Sequence, residues 1–288
     1  DISEAALRRG WEQLAEPLGA YRGSTVADRG TSGGYPYVVL RLSFERGVRR
    51  LVVAFEADAI VGLRIRVPED AYEPPSYADQ SSIVARSVTV PSPDCELGGT
   101  LALPKRATEG DDLVPGVVLV HGTGPAGRNQ QIGPNRPFQD LALGLATDGV
   151  AVLRYDKRTH ACGVSRADGL DLGDLTVDDA DTALNVLRDR PEVGPVAVVG
   201  HSQGGYAAPR IADVADVDGM AALAAPAGSL ADLVVHQNRY LAELDGEVTD
   251  AERDRIAAVA SAADRVQSGD LDDDEVLLNF HAAFWNDV

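Results

Sequence analysis

Apolar residues change their spacing several times along the chain. In Ser3–Leu18 they fall at Ala6, Leu7, Trp11, Leu14 and Leu18, the period of an amphipathic helix, which Gly19 ends. Asp28–Gly34 reads as a turn. Tyr35–Phe44, Arg50–Phe55 and Ala59–Val67 then read as strands, separated by Glu45-Arg46-Gly47 and Glu56-Ala57-Asp58. A helix followed by an antiparallel meander makes residues 1–67 a small α+β accessory domain with Trp11 and Phe44 in its core. Pro68–Ser82 is rich in proline and polar residues and reads as a linker.

From residue 83 to 288 the pattern is that of a second domain. Strands are expected at Ile83–Val90, Thr100–Leu103, Gly116–Val120, Val150–Arg154, Val196–Val199 and Met220–Ala224. Helical periods fall between the later ones, at Phe138–Thr147, up to Arg188 and at Gly204–Val214. Thr176 is the expected N-cap of the second of these, with Asp178, Asp179 and Asp181 in its first turn, where carboxylates favour the helix dipole. Such alternation predicts a mostly parallel sheet with helices on both faces. Beyond residue 228 the spacing is helical only, at Leu230–Leu244, Asp250–Val266 and Asp273–Trp285. These three helices read as a lid over about 228–286, with His236, Tyr240, Phe280, His281, Phe284 and Trp285 as packing or pocket residues.

Two strand ends carry candidate chemistry. Val196–Val199 runs straight into Gly200-His201-Ser202-Gln203-Gly204, a G-x-S-x-G strand-to-helix turn. Glycine two residues either side of the serine lets the backbone turn tightly enough to present Ser202 as a nucleophile. Gly116–Val120 runs into His121-Gly122-Thr123-Gly124. Attack on a carbonyl creates an oxyanion, and the amides of Thr123 and Gln203 are the expected donors to it. His121 is expected to buttress that loop rather than act as base, and Ala126–Phe138 to border the site mouth. Asp156 and Arg158 are expected to hold their own loop together.

Composition adds limits more than chemistry. The net charge is −19, from 45 acidic and 26 basic residues, and only Lys105 and Lys157 are lysines. So acidic a surface repels nucleic acid and anionic membrane, and it says nothing about substrate. The composition resembles that of halophilic archaeal proteins. Cys95 and Cys162 are too few and too far apart for a disulfide framework or a metal site, and two free thiols are expected. No metal or cofactor is expected. No apolar run reaches membrane-spanning length. Residue 1 is Asp, so the natural N-terminus is expected to lie upstream, and both a cytoplasmic and an exported location stay open.

Residues 116–158, GVVLVHGTGPAGRNQQIGPNRPFQDLALGLATDGVAVLRYDKR, together with VAVVGHSQGG at 196–205, resemble the α/β-hydrolase superfamily in its dienelactone hydrolase-like or serine aminopeptidase-like branch. Residues 1–67 resemble a domain of unknown function fused ahead of such hydrolases. The resemblance implies cleavage of esters, thioesters or peptides by Ser, Asp and His in that order, without metal, and so a small acyl ester or a short peptide as the expected partner. An acyl aminopeptidase and a non-catalytic binding module remain the alternatives. Thr159 departs from the family's D-x-R-G-x-G-x-S turn, where glycine is usual. The family also places its acid and histidine after strands beyond the lid, and nothing after Ala224 reads as a strand. The chain is therefore expected to be a fragment lacking roughly 80 to 110 residues and both triad partners of Ser202, and so to be inactive alone. His281 with one of Asp270–Asp274 is the internal alternative.

Overall fold

The structure is a computed structural model that describes residues 4–32, 34–57, 59–66, 68, 72–93, 95–110, 112–244 and 246–288. The expected helix start at Ser3, the strand end at Val67, the turn positions Gly33 and Asp58, linker residues 69–71, Asp111 and the break at Asp245 lie outside the described residues, as do the side chains of Ala6 and Leu7. The chain divides into two compact units, Asp1–Glu73 with Ile132–Asn135, and Pro74–Gln131 with Arg136–Val288.

In the first unit a helix, α1 (Glu4–Leu18), precedes four strands, β1 (Tyr21–Ser32), β2 (Tyr35–Phe44), β3 (Gly47–Glu56) and β4 (Ala59–Arg66), paired in that order and antiparallel throughout. Leu18, Leu42 and Phe44 form the core, with Leu14, Leu40 and Leu51 against it. Trp11 is not core. It is 41% exposed and lies at the rim on Tyr21 and Phe44. Strand β1 overturns the expected turn at Asp28–Gly34. Its sequence, YRGSTVADRGTS, has no apolar alternation because β1 is a solvent-facing edge strand, held by its backbone ladder to β2.

The second unit is built on a six-stranded sheet. Its strands are β5 (Ile83–Val90), β6 (Leu97–Pro104), β7 (Val114–Val120), β8 (Ala151–Tyr155), β9 (Val193–His201) and β10 (Gly219–Leu223), in the spatial order β10-β9-β7-β8-β6-β5. The four strands from β10 to β8 are parallel; β6 and β5 are antiparallel additions. Between the parallel strands run α2 (Pro137–Thr147), the short α3 (Arg158–Ala161), α4 (Asp178–Arg188) and α5 (Gln203–Ala215). Helix α2 covers one face through Phe138 and Ala142 against Leu119 and Val152. Helices α4 and α5 cover the other, through Leu184, Leu187 and Ile211 against Val118, Leu153 and Val198. Part of the expected linker packs on this unit: Asp79 N–H donates to Thr147 Oγ1 at 3.0 Å.

Helix α4 is entered differently from the sequence expectation. Gly173–Val177 forms a π-helical turn that leads directly into it, so Thr176 is no cap. After β10 the chain is a helical cap region, α6 (Leu230–Glu243) and α7 (Asp250–Ser268), the latter opened by a reciprocal Thr249–Glu252 capping box. The expected third lid helix is instead a two-residue hairpin, β11 (Val276–Leu277) and β12 (Phe280–His281), followed by α8 (Ala282–Asp287). Leu278 and Asn279 at its tip both take positive φ, 50° and 68°, which ends any helix there.

Cys95 and Cys162 are not free thiols. They form a disulfide, with Cα atoms 5.5 Å apart. Pairing of β6 with β8 brings the loop before β6 beside the loop after β8, a proximity that a separation of 67 residues conceals.

Candidate active site

Strands β7, β8 and β9 are parallel neighbours, so the loops after them open on one edge of the sheet, where open α/β sheets bind ligands. Ser202 stands between β9 and α5 with φ 53° and ψ −116°. A serine tolerates this region only under constraint, at a cost of about 1–3 kcal/mol. The constraint is visible on both sides. Ser202 N–H donates to Leu223 O on β10 at 2.9 Å, and Tyr206 N–H donates to Ser202 O at 2.9 Å.

The flanking glycines are required by close approach rather than by their own φ. A Cβ on Gly200 would stand 2.1 Å from Gly204 O. One on Gly204 would stand 2.5 Å from Val120 O and 2.6 Å from His121 O. The turn after β9 therefore presses against the end of β7, which explains why both strand ends carry Gly-rich sequence. Gly122 closes the arrangement: a Cβ there would lie 3.1 Å from His201 Nδ1 and 3.2 Å from Ser202 Cβ. Thr123 follows, exposed, and Gly124 takes φ 100° with open space around it. Gln203 is buried as the first residue of α5.

The five histidines fall in distinct settings. His121 is buried between Phe138 and Tyr155, with ring centroids at 5.2 and 5.3 Å. Burial, reinforced by the charge of Lys157, pushes its pKa down to about 3, so it is neutral at physiological pH. His201 Nδ1 lies 2.5 Å from Gln130 Nε2, which brings the loop after β7 against the turn, and burial lowers the pKa of its ring. His160 and His236 are exposed on α3 and α6. His281 caps α8, its Nδ1 accepting the Ala283 N–H at 3.2 Å, and its backbone N–H binds Arg166 O.

Two residues of the loop after β8 hold that loop to the rest of the unit. Asp156 receives Arg128 at both carboxylate oxygens; burial works against its charge, but these bonds outweigh burial and lower its pKa. Arg158 forms a buried bidentate pair with Asp179, at 2.9 and 2.7 Å. Asp179, expected to face the dipole of α4, thus turns inward to a guanidinium. Between these two lies a residue to which no role was assigned from sequence. Lys157 is buried and donates to Gly122 O and to Gln203 Oε1, both at 2.9 Å. Its signal was composition: a lysine at the end of a buried strand, one of only two in a chain whose other basic residues are arginines. Among the described residues no helix is long and apolar enough to cross a membrane, and no group of three His, Cys, Asp or Glu could hold a metal ion.

Residues 117–287 match the Alpha/beta hydrolase family. Among curated proteins, Esterase EstD of Thermotoga maritima is 30% identical over 289 residues, covering 100% of this chain and 66% of that protein. The chain thus spans just under two thirds of that relative's length. Among solved structures, brefeldin A esterase, described as a bacterial homologue of human hormone sensitive lipase, is similar over 75% of this chain and 52% of its own, at 18% identity and a TM-score of 0.42. A dienelactone hydrolase from Anabaena variabilis is similar over 49% of this chain and 62% of its own, at 22% identity and a TM-score of 0.36.

Proposed function

Because the chain belongs to the alpha/beta hydrolase family, we propose that its protein is a serine hydrolase that cleaves carboxylic esters or thioesters through an acyl-enzyme on Ser202. The observation that carries this reading is the constrained backbone of Ser202, φ 53°, at the tip of a parallel strand with a Gly-rich loop against its Cβ. Strain of this kind persists where a side chain must be presented, and the glycines at 200 and 204 leave the turn no alternative packing. The name of the curated relative, an esterase, points the same way.

In this reading Ser202 Oγ bonds to the substrate carbonyl carbon while its proton passes to a histidine. The carbonyl π pair moves to oxygen, and the amides of Thr123 and Gln203 receive that oxyanion. Collapse of the intermediate expels the alcohol or thiol, which takes the proton from the histidine, and water then releases the acid by the same steps in turn. His121, Gly122, Gly124, His201, Gly200 and Gly204 shape the site and take no proton from Ser202.

The histidine base and its acid partner belong, in this proposal, to strand-end loops outside residues 1–288. His281 is engaged as a helix cap, His121 is enclosed by aromatic rings, and His201 is turned to Gln130. Strand β10, at the sheet edge, leaves Met220 and Leu223 exposed, as expected of a strand that a further strand covers. Residues 1–67 serve as an accessory module without a catalytic group, and the cap at about 228–286 shapes the acyl or leaving-group pocket.

The test uses the full-length protein. A fluorophosphonate probe should label it, Ser202→Ala should abolish labelling, and p-nitrophenyl esters should be turned over faster than aminoacyl-nitroanilides. A folded protein with neither labelling nor ester turnover would refute the proposal.

A further inference from the structure

Lys157 is poorly explained as a fold residue. Burying an ammonium is costly, and its two acceptors are uncharged: the carbonyl of Gly122 and the side-chain oxygen of Gln203. Those acceptors are, however, specific. Gly122 O belongs to the same peptide unit as the Thr123 N–H, and Gln203 supplies the second amide proposed to bind the oxyanion.

We propose that Lys157 is a positioning residue of the oxyanion hole, fixing from behind both the Gly122–Thr123 peptide and the first residue of α5. The inference rests on the serine hydrolase reading. No cis peptide bond occurs among the described residues, so the Gly122–Thr123 unit is trans and planar. In such a unit C=O and N–H point in opposite directions, and holding the oxygen at Lys157 Nζ directs the Thr123 N–H away from it. A lock is needed there. Gly122 has no side chain to hold the unit by, and Gly124 beyond Thr123 takes φ 100°, so the segment carries little steric restraint of its own. On the other arm, Lys157 Nζ donates to Gln203 Oε1, so Gln203 presents its oxygen to Lys157. That orients the amide and ties the start of α5 to the loop after β7. One group on β8's loop thereby sets the spacing between the loops of β7 and β9. Its chain positions, 35 and 46 residues from its partners, make it a link between three strand ends.

The charges facing Lys157 are Arg166, which disfavours its ammonium, and Asp179, which favours it; its own charge in turn acts on His121. Neither Arg166 nor Asp179 is a hydrogen-bond partner of Nζ, so the positioning depends on the two bonds at 2.9 Å.

The experiment compares the intact protein with its Lys157→Met variant on a p-nitrophenyl ester, and measures the inhibition constant of an aryl boronic acid, whose tetrahedral adduct occupies an oxyanion hole. The expected result is a fall in kcat of about 100-fold with KM within about twofold, and a comparable loss of boronate affinity. Retention of kcat and boronate affinity within threefold would overturn the proposal. So would a loss confined to thermal stability or KM. Lys157→Gln, which keeps an N–H-donating group on a shorter side chain, serves if Lys157→Met does not fold, with an expected loss of about tenfold. In 15N-threonine-labelled protein the Thr123 amide should shift in either variant; an unchanged Thr123 resonance overturns the positioning role even if the intact wild type hydrolyses no ester, which would refute only the hydrolase reading.

Discussion

Ser202 keeps its unusual backbone because residues 200 and 204 have no side chains, and this makes the turn intolerant of a single methyl group. Gly204→Ala would place carbon 2.5 Å from Val120 O, and backbone cannot yield as a flexible side chain does. We expect a loss of about 1–3 kcal/mol in a denaturant melt, together with loss of fluorophosphonate labelling. Labelling at the wild-type rate would refute this account of the turn. The Arg158–Asp179 pair predicts a larger cost. Asp179→Asn removes the negative charge from one side of this buried bidentate pair and should destabilise by about 3–5 kcal/mol in a urea melt. Lys157 predicts a pH dependence. Burial first, then Arg166, push its pKa from 10.5 to about 7, so between these pH values the unfolded chain holds a proton that the folded chain does not. Its contribution to stability therefore rises from about pH 7 towards 10.5, and is a constant penalty below. Melts of wild type and Lys157→Met at pH 7 and 9.5 should show the wild type gaining relative to the variant; equal changes would exclude the shift.

At the scale of elements, the Cys95–Cys162 bridge joins the approach to β6 with the segment after α3. A bridge closing a loop of 67 residues is worth about 4 kcal/mol in the chain-entropy account. Dithiothreitol, or Cys95→Ser, should lower Tm; an unchanged Tm would show that the bridge does not constrain the unfolded chain. Strands β7 and β8 were legible because their apolar runs are buried on both faces, whereas the apolar run of β10 stands largely exposed at the sheet edge. Strand β1 was not, since an exposed edge strand needs no apolar alternation. The hairpin of β11 and β12 was hidden for a different reason. Val276, Leu277, Phe280 and Phe284 fit a helical period, while the turn that separates them uses Leu278, a residue that seldom adopts positive φ.

The whole molecule carries −19 charges, and its ion pairs leave many carboxylates exposed to one another. Such self-repulsion opposes the compact state and is screened over about 10 Å at 0.1 M salt and about 3 Å at 1 M. Raising KCl from 0.1 to 1 M should therefore raise Tm, and a fall would show that attractive pairs such as Arg210–Asp287 dominate instead.

What the sequence determined by itself is local in origin. The Gly-x-Ser-x-Gly turn, the Gly-rich end of β7 and the alternation of buried strands with amphipathic helices follow from backbone sterics and burial within a few residues, so their pattern is written where they stand. What only the tertiary structure decided joins residues far apart in the chain. The disulfide spans 67 positions, the buried Arg158–Asp179 pair 21, and the two bonds of Lys157 35 and 46. The partners of Lys157 meet because parallel strands return to the same sheet edge through crossover helices, and the two cysteines meet because β6 pairs antiparallel with β8. No periodicity in the sequence records which loop then faces which.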